Sequence, residues 1–471
     1  MQARWKYFSL FIAAGVLVTG YAVNAEKNSN PPVHLNTFDR TISANSNQMI
    51  EEGRHTFRFD TFGDEAFWGG TLQLHKAIEG AKFGGVGPGV SPATAAAVGL
   101  KIDVDALPQS VISALKAGQI NLNDPAVTLA LLKLNSVLGL TGDFNPDGTL
   151  KAVGIQCALC HSRVDNSFKA PGLPEGIIGH RLDGWSNQDL NVGAIVSLAP
   201  NLQPVADLLG VNVATVQKVL MSWGPGKFDA ELFLDGKAFN PKQVTDGVVT
   251  GTNVSGATLI PPAFGKAGVN LHTWTGAWGT VSYWNALVAT LEMHGQGTFF
   301  DPRLDNAAQF PIAAAHNFGH VTSDPDLVTS KLPALHFYQL AIPAPQPPKG
   351  SFNEDAARRG VELFGGKAKC TTCHTEPLWT EPGWNLHAGS DVCIDNFEAD
   401  RAPDNKYRTT PLGGLWTHQK RGFYHDGRFP TLMDVVNHYD TCLSLGLSSS
   451  EKSDLVEYLK SLPGEEEGGQ Q

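Results

Sequence analysis

The sequence has little positive charge, and it has no long apolar segment beyond its N-terminus. Its 471 residues include 35 Lys and Arg against 46 Asp and Glu, which gives a net charge of −11. No run of basic residues interrupts this acidic excess, so we do not expect a nucleic-acid-binding protein. Past residue 25, no apolar stretch reaches the length of a membrane helix, and we expect no stable membrane span.

Cysteine is also scarce, and its placement is informative. Four of the six cysteines form two C-x-x-C-H segments, "CALCH" and "CTTCH". Two thiols at this spacing can attach one haem, whose iron the next histidine then binds. Zinc would need two more ligands at finger-like spacing, and a redox pair would follow a β-rich segment. Neither feature is found, so we predict haem 1 on Cys157, Cys160 and His161, and haem 2 on Cys370, Cys373 and His374.

The N-terminus is typical of a secretory signal rather than of a membrane anchor. Arg4 and Lys6 precede a short apolar core, and small residues at 23–25 offer a cleavage site. The mature chain is then expected to start near Glu26 in an oxidising periplasmic or extracellular space.

The remaining sequence predicts a mainly α fold, with two cytochrome-c-like haem domains, long loops and an unassigned N-terminal region. Capping boxes at Ser351/Glu354 and Ser448/Glu451 predict the helices that flank the second haem segment. The predicted order is a signal peptide (1–25), an N-terminal region of unknown role (26–150), a first c-type haem domain (151–340), a Pro-rich linker (341–350), a second c-type haem domain (351–463) and a disordered tail (464–471).

Two cysteines lie outside the haem segments. Cys393 and Cys442 both fall in the second haem domain. In an oxidising space a disulfide between them is one alternative, and two free thiols are the other.

Several segments resemble the superfamily of dihaem cytochrome c peroxidases and methylamine-utilisation dihaem enzymes, to which rubber oxygenases are distant relatives. The resemblance runs from about residue 150 to 463 and leaves residues 26–150 unmatched. It is strongest in "RGVELFGGKAKCTTCH" and "YRTTPLGGLWTHQKRGFYHDGRFPTLMDVVNHYD". In the first domain, "CALCH" is followed by "GIIGHRLDGWSNQDLNVGAIVSLAP", which is similar to the family's I-G-H segment.

The resemblance implies a distal ligand for each iron. For haem 1 it points to His180 of the I-G-H segment, with Met293 and His294 as alternatives. For haem 2 the position after "HDGR" holds His438 and Tyr439.

We favour His438 for haem 2, with Tyr439, His425 and Met433 as alternatives. A helix over "VVNHYD" would point residues 438 and 439 about 100° apart, so that only one of them can face the iron. Gly413 stands where family members commonly carry an arginine near the haem edge, and Arg408 or Arg421 can supply that charge.

Two functions follow from these assignments. If His180 and His438 close both irons, the chain transfers electrons between its haems and an external partner such as a small cytochrome or cupredoxin, which is the function we favour. The alternative is a dihaem peroxidase reducing H2O2 at haem 1, or a related haem oxygenase. Family peroxidases use a glutamate to move protons, and we find no matching segment between 181 and 300, so catalytic residues stay unassigned. We also consider a Ca2+ ion between the domains.

Overall fold

Helices dominate the fold, and its strands are short. The computed structural model describes residues 36–245, 247–251 and 255–463. The predicted signal peptide and C-terminal tail lie outside these described residues. One structural unit ends at Asn45, and a second begins at Ser46 and contains both C-x-x-C-H segments. The predominance of helices over short strands confirms the predicted mainly α class.

The α-helices are numbered in chain order. Before the Pro-rich segment they are α1 (Thr37–Phe59), α2 (Leu74–Glu79), α3 (Pro92–Ala97), α4 (Gln109–Lys116), α5 (Pro125–Lys133), α6 (Cys157–His161), α7 (Val192–Val196), α8 (Gln203–Leu209), α9 (Val213–Trp223), α10 (Val281–Leu287), α11 (Pro311–His316) and α12 (Leu332–Ala341). After it they are α13 (Glu354–Gly365), α14 (Leu432–Leu443) and α15 (Ser449–Ser461).

The strands form two-stranded pairs. In chain order they are β1 (Ile102–Asp103), β2 (Leu140–Phe144), β3 (Leu150–Ile155), β4 (Ser162–Val164), β5 (Ile178–Gly179), β6 (Arg181–Asp183), β7 (Lys227–Phe228), β8 (Val244–Thr245), β9 (Val248–Val249), β10 (Thr258–Leu259), β11 (Phe299–Phe300) and β12 (His320–Val321). β1 pairs with β5 in parallel, and the antiparallel pairs are β2–β3, β4–β6, β7–β10, β8–β9 and β11–β12.

Each C-x-x-C-H segment is anchored in a different apolar cluster. Leu159 of the first segment is buried in a cluster that extends from Trp68 to Ile260. Cys370 of the second segment packs against a cluster that extends from Phe364 to Leu462. Burial of apolar surface is the main favourable term in folding, so each segment is fixed by its own local core.

The helices around the second segment follow the predicted pattern with one correction. Ser448 and Glu451 form the capping box of α15, as predicted. α13 begins two residues later than the Ser351 box implied, because the side chain of Asn353 accepts the hydrogen bond from the Ala356 amide. α14 contains both His438 and Tyr439, which confirms the predicted helix over that stretch.

The Pro-rich segment forms hydrogen bonds with other parts of the chain, so it does more than separate the two predicted haem domains. The Pro345 carbonyl accepts a 2.9 Å hydrogen bond from the Trp416 indole, and the Ile342 carbonyl accepts one from the Gly265 amide. Proline removes backbone donors but keeps carbonyl acceptors, which suits it to such contacts.

The lengths and compositions of the described helices bear on whether any of them could cross a membrane. None of them alone has the length and apolar character needed to cross a bilayer, although α8 and α9, bent by 92°, pass the test together by length and composition.

Candidate haem sites

The first C-x-x-C-H segment follows a strand directly, which the sequence analysis did not expect. β3 ends at Ile155, and helix α6 opens at Cys157. The buried carboxylate of Asp64 accepts the Ile155 amide with both oxygens at 3.2 Å, so it fixes the end of β3 two residues before the first thiol. Burial raises the pKa of Asp64 to about 9, so the carboxyl is protonated at neutral pH.

The thiols of this segment are not those of a redox pair. Burial raises the pKa of Cys157 and Cys160 to about 12, whereas a reactive C-x-x-C needs a lowered pKa to form thiolate. All four cysteines of the two segments are free. Free thiols at this spacing are what covalent haem attachment requires.

The two adjacent histidines have the same hydrogen-bond arrangement. His161 Nδ1 lies 3.1 Å from the Pro261 carbonyl oxygen, and His374 Nδ1 lies 2.8 Å from the Trp379 carbonyl oxygen. A carbonyl can only accept, so each Nδ1 carries the proton and leaves Nε2 free to bind iron. Burial lowers the pKa of both rings, that of His161 to about 4, which keeps the imidazoles neutral as metal binding requires.

A large apolar cavity lies beside the second segment. Its volume is about 780 Å³, within the range of cofactor pockets, and Cys370, Cys373 and His374 lie in its wall. Apolar side chains from three parts of the chain complete the wall, among them Phe264, Leu340, Phe364, Leu412, Val436 and Leu459. A planar apolar porphyrin fits such a space.

Two buried cations line the same cavity. Burial and the neighbouring Arg408 lower the pKa of Lys266 to about 7, and burial lowers the pKa of Arg408 to about 10. The Arg408 guanidinium donates Nε to the Thr273 carbonyl, while its buried Nη1 lacks a hydrogen-bond partner. Unpaired buried cations are costly, and the two carboxylates of a haem would compensate both. Of the two arginines considered for the charge that Gly413 lacks, Arg408 is the one that lines the cavity.

Arg421 has a different role. Its Nε donates to the Gln188 carbonyl at 3.0 Å, and it is not part of the cavity wall.

The first site also carries a partly buried cation. The Arg163 guanidinium lies 4.4 Å from the centre of the Trp185 ring, and its buried Nε has no hydrogen-bond partner. Arg163 is two residues from His161, so it is placed to meet a carboxylate of haem 1. The donor sets of both segments therefore fit a covalently bound haem.

Among the predicted haem 2 ligands, the structure favours Tyr439 over His438. Tyr439 lines the cavity, and its pKa is raised by burial and, to a lesser extent, by the thiols of Cys370 and Cys373. His438 Nε2 instead bonds the Val392 carbonyl at 2.7 Å and lies outside the cavity wall. This placement argues against His438, because the helix rotation that presents residue 439 turns residue 438 away.

The other two alternatives also differ in placement. His425 is buried in the cavity wall, where its ring stacks on Tyr407 with centroids 5.1 Å apart. Met433 packs against the cluster around Phe364 and does not line the cavity. Tyr439 and His425 are thus the two predicted ligands that the structure brings to the cavity.

His180 is held at the surface by an acidic partner. Its side chain is 56% exposed, and Nδ1 bonds the Asp105 carboxylate at 2.9 Å. That carboxylate raises the pKa of His180, which favours the protonated ring that cannot bind iron. The sequence-based assignment of His180 to haem 1 is therefore not supported.

The structure reveals a buried carboxyl that the sequence analysis missed. Glu292 ends a π-helical turn, Val288–Glu292, and is 4% exposed, with neither carboxyl oxygen hydrogen-bonded. Burial raises its pKa well above the usual range. The next residue, Met293, packs in one apolar cluster with Cys157 and Ala158, so Glu292 directly precedes a member of the cluster that contains the first segment. The sequence feature that could have indicated this buried carboxyl is a single acid within the apolar stretch "ALVATLEMHG".

The residues that were alternatives for haem 1 are also buried. Met293 is 4% exposed, and the His294 ring stacks on Phe67 with centroids 3.5 Å apart. His294 Nε2 has no hydrogen-bond partner, and burial lowers its pKa to about 3.

The remaining two cysteines form a disulfide. The Cys393–Cys442 bond is present, which settles the alternative left open by the sequence. It ties α14 to the loop that contains Val392. The same loop accepts the His438 hydrogen bond, so two contacts hold this wall of the cavity in place.

Comparisons with known proteins agree with a haem-based redox function. No family model matches the chain. Methylamine utilization protein MauG of Methylorubrum extorquens is 30% identical over 125 residues, which cover 23% of this chain and 35% of that protein. Cytochrome-c peroxidase IdrP2 of Denitromonas iodatirespirans is 27% identical over 156 residues, which cover 25% of this chain and 42% of that protein. The chain thus spans less than half the length of these curated relatives.

Solved structures give weaker similarities. A hydrazine synthase of Kuenenia stuttgartiensis matches with a TM-score of 0.27 and 18% identity, covering 50% of this chain and 86% of that one. A MauG-like protein associated with microbial copper homeostasis matches with a TM-score of 0.29 and 19% identity, with the same coverage. At these TM-scores neither structure informs the fold. The two curated similarities, at modest identity, support a relationship to the dihaem cytochrome c peroxidase-like superfamily.

Proposed function

We propose that the protein is an exported dihaem enzyme of the peroxidase type, which takes electrons from a small redox protein and reduces H2O2. Haem 1 is held by Cys157, Cys160 and His161. Haem 2 is held by Cys370, Cys373 and His374. This reverses our sequence-based preference for an electron carrier without catalysis.

The placement of His180 carries this proposal. An electron carrier of the predicted kind needs His180 on the iron of haem 1, and the exposed side chain is instead paired with Asp105. If His161 were the sole protein ligand of the haem 1 iron, that iron would be open to a small ligand at one axial position. When bound, a haem of this kind supplies an iron that exchanges electrons and reduces peroxide at that position.

Glu292 is the residue best placed to supply protons. Reduction of one peroxide to two waters consumes two electrons and two protons. A buried carboxyl that stays protonated at neutral pH can give a proton at the site and regain it later. Glu292 adjoins Met293, which packs with Cys157 and Ala158, so its proton is held beside the first haem segment.

The second site is suited to electron entry. We assign Tyr439 as the distal ligand of haem 2, because it lines the cavity and His438 does not. An iron held on both sides exchanges electrons without binding substrate. The proposed donor is a small one-electron redox protein.

An electron carrier is the second candidate, and one observation favours it. Met293 is buried in the apolar cluster that contains Cys157. A thioether at this position could close the first iron, in which case electrons would pass and peroxide would not react.

Low-temperature EPR of the oxidised holoprotein, repeated after one-electron reduction, separates the two candidates. We expect a high-spin ferric signal, at rest or after half-reduction, together with turnover of H2O2 when a reduced donor is present. Two low-spin signals that persist after half-reduction, without turnover, would instead establish an electron carrier.

A variant series tests the role of Glu292. Glu292→Gln is expected to lower peroxide turnover by about 10²- to 10⁴-fold, as loss of a general acid does, while the EPR spectrum is retained. The matched control is Asp404→Asn, which changes an exposed carboxyl. Equal turnover in Glu292→Gln and the wild type would remove Glu292 from the mechanism.

The haem count, the compartment and the calcium ion belong to this proposal as well. A pyridine haemochrome assay should give two haems per chain. For calcium, the single group of three close ligand atoms among the described residues is Cys373, Glu381 and His387. Calcium takes oxygen ligands and Cys373 is assigned to haem 2, so that group does not suit it. The Ca2+ ion stays a prediction without an assigned site.

A further inference from the structure

Five buried acidic side chains surround one buried arginine in this protein. They come from three separate parts of the sequence, and we call them the carboxyl cluster. Its members are Asp229, Glu231, Asp235, Glu292 and Glu398. At its centre is Arg401, whose side chain is fully buried.

Arg401 compensates part of this charge. Its Nη2 lies 2.6 Å from the Asp229 carboxylate, and its Nε and Nη2 reach both oxygens of Asp235 at 2.9 and 3.0 Å. Glu398 lies further away, with 3.7 Å between its carboxylate and Nη1. One guanidinium thus forms close contacts with two carboxylates.

The other acids lack such a partner. Glu231 accepts only a weak hydrogen bond, 3.3 Å long, from the Trp278 indole. Neither oxygen of Glu292 has a hydrogen-bond partner, nor does Asp229 Oδ2. Five carboxylates with one guanidinium would leave four uncompensated charges in the interior, which no packing energy could offset. Several of these groups must therefore bind a proton or share a cation.

Geometry favours protons over a metal ion. Among the described residues, the only three ligand groups that come within 4.8 Å of one another are Cys373, Glu381 and His387. The carboxyl cluster does not form such a group, so its oxygens are too dispersed for one cation. Protons need no common centre, because each carboxyl binds its own.

The individual acids then differ in how firmly they hold a proton. Burial raises the pKa of Glu292 and Glu398 well above the usual range. Burial, opposed by Arg401, raises the pKa of Asp229 to about 6 and that of Glu231 to about 7. Glu292 and Glu398 therefore hold their protons to higher pH than an ordinary glutamate, while Glu231 titrates close to neutral pH.

We propose that the carboxyl cluster is a proton store, in which Glu231 takes up a proton when the haems are reduced. This deepens the proposed function and rests on it for the destination of the protons. Each electron that enters adds a negative charge to the interior. That charge makes ionised Glu231 less favourable, so a proton from solvent follows the electron.

The cluster has a solvent side and a haem side. On the solvent side, Lys237 is 23% exposed and lies 3.8 Å from Asp235. On the haem side, Phe233 packs edge-on against His294, two residues after Glu292. A further titratable group beside the cluster is Tyr407. Its pKa is raised by burial and, to a lesser extent, by Glu398.

Spectroelectrochemical titration of the holoprotein tests this proposal without relying on turnover. Midpoint potentials of both haems are measured between about pH 5 and pH 8, a range that spans the pKa values of Asp229 and Glu231. In the wild type at least one potential should fall as pH rises, because proton uptake accompanies the electron. In Glu231→Gln this dependence should shrink by at least half.

Two controls separate proton binding from structural damage. Glu398→Gln replaces a neutral carboxyl by a neutral amide, so the pH dependence should be kept. Asp404→Asn changes an exposed carboxyl in the same segment and should also keep it. Wild-type potentials that do not change with pH, or equal slopes in the wild type and Glu231→Gln, would overturn the proposal.

Measurements on the wild type alone cover the case in which Glu231→Gln fails to fold. A reduced-minus-oxidised infrared difference spectrum should show a carboxyl carbonyl band that shifts in D2O, and its absence would reject proton uptake. Metal analysis of the same protein should find no metal ion whose binding depends on these acids; an ion released with the loss of these acids would also reject the proposal. If H2O2 is not turned over but the pH dependence is lost in Glu231→Gln, the peroxidase fails and the proton store stands.

Discussion

Trp185 packs edge-on against Trp416, with ring centroids 5.3 Å apart and an interplanar angle of 85°. Trp185 follows Gly184, whose amide donates to the His161 carbonyl, so its position is coupled to the first haem segment. Trp416 lies between Leu415 and His418, which line the cavity beside the second C-x-x-C-H segment. The pair is therefore a direct side-chain contact between the surroundings of the two haem sites.

This contact should contribute measurable stability. Aromatic pairs in edge-to-face geometry contribute about 1 kcal/mol beyond their buried area. A double-mutant cycle with Trp185→Leu and Trp416→Leu, measured by denaturant unfolding of the holoprotein, should give a coupling energy of that size. Trp384, which is 75% exposed, provides the control, and Trp185→Leu with Trp384→Leu should be additive. Additivity in both cycles would show that the pair is not an energetic contact.

Our assignment of the distal ligand of haem 2 chooses between two adjacent residues, Tyr439 and His438. Tyr439→Phe removes the hydroxyl that we assign to the iron, so the low-spin EPR signal of haem 2 should become high-spin. His438→Gln keeps a side-chain amide for the Val392 carbonyl, and the spectrum should stay as in the wild type. Met433→Leu is a further control, since Met433 does not line the cavity. A spectral change in His438→Gln but not in Tyr439→Phe would restore our first assignment.

The disulfide should stabilise the second haem region. Cys393 and Cys442 are 49 residues apart, and closing a loop of that length is worth about 4 kcal/mol in the chain-entropy account. The double variant Cys393→Ser, Cys442→Ser should lose about this much free energy of unfolding in urea. Reductant should destabilise the wild type by the same amount and leave the variant unchanged. No difference between wild type and variant would mean that the loop is held by other contacts.

Asp64 should make stability depend on pH. Its pKa is about 9 in the folded chain against an ordinary value of 3.8, so the folded state holds a proton that the unfolded state releases between these values. Stability is then highest at low pH and falls as pH rises, by up to about 1.4 kcal/mol per pH unit.

Asp64→Asn tests this dependence. The amide oxygen can still accept the Ile155 hydrogen bond but no longer titrates, so unfolding free energies from pH 5 to pH 8, a range of about three pH units, should show a shallower slope. The matched control is Glu65→Gln, one residue along, whose carboxyl accepts the Thr61 hydroxyl. Equal slopes in Asp64→Asn and the wild type would mean that Asp64 is ionised in the folded protein.

The sequence by itself determined the chemistry that depends on neighbouring residues. Two thiols and a histidine within five positions predict haem attachment, because the spacing alone matches the reactive groups of one porphyrin. The Ser448/Glu451 box is likewise a contact across one helical turn, and it starts α15 as predicted. The cysteines outside these segments were identified as a candidate pair, although their distance was not.

Only the tertiary structure decided which candidate side chains line the cavity. His438 and Tyr439 are adjacent in sequence and alike as ligands, and the rotation of α14 against the cavity distinguishes them. His180 matched a family segment, but its partner Asp105 is 75 residues away and holds it at the surface. The carboxyl cluster joins distant parts of the chain, as in the Asp235–Arg401 pair, whose residues are 166 positions apart. Burial and charge pairing arise from the packed fold, so local patterns could predict where haem attaches but not what surrounds it.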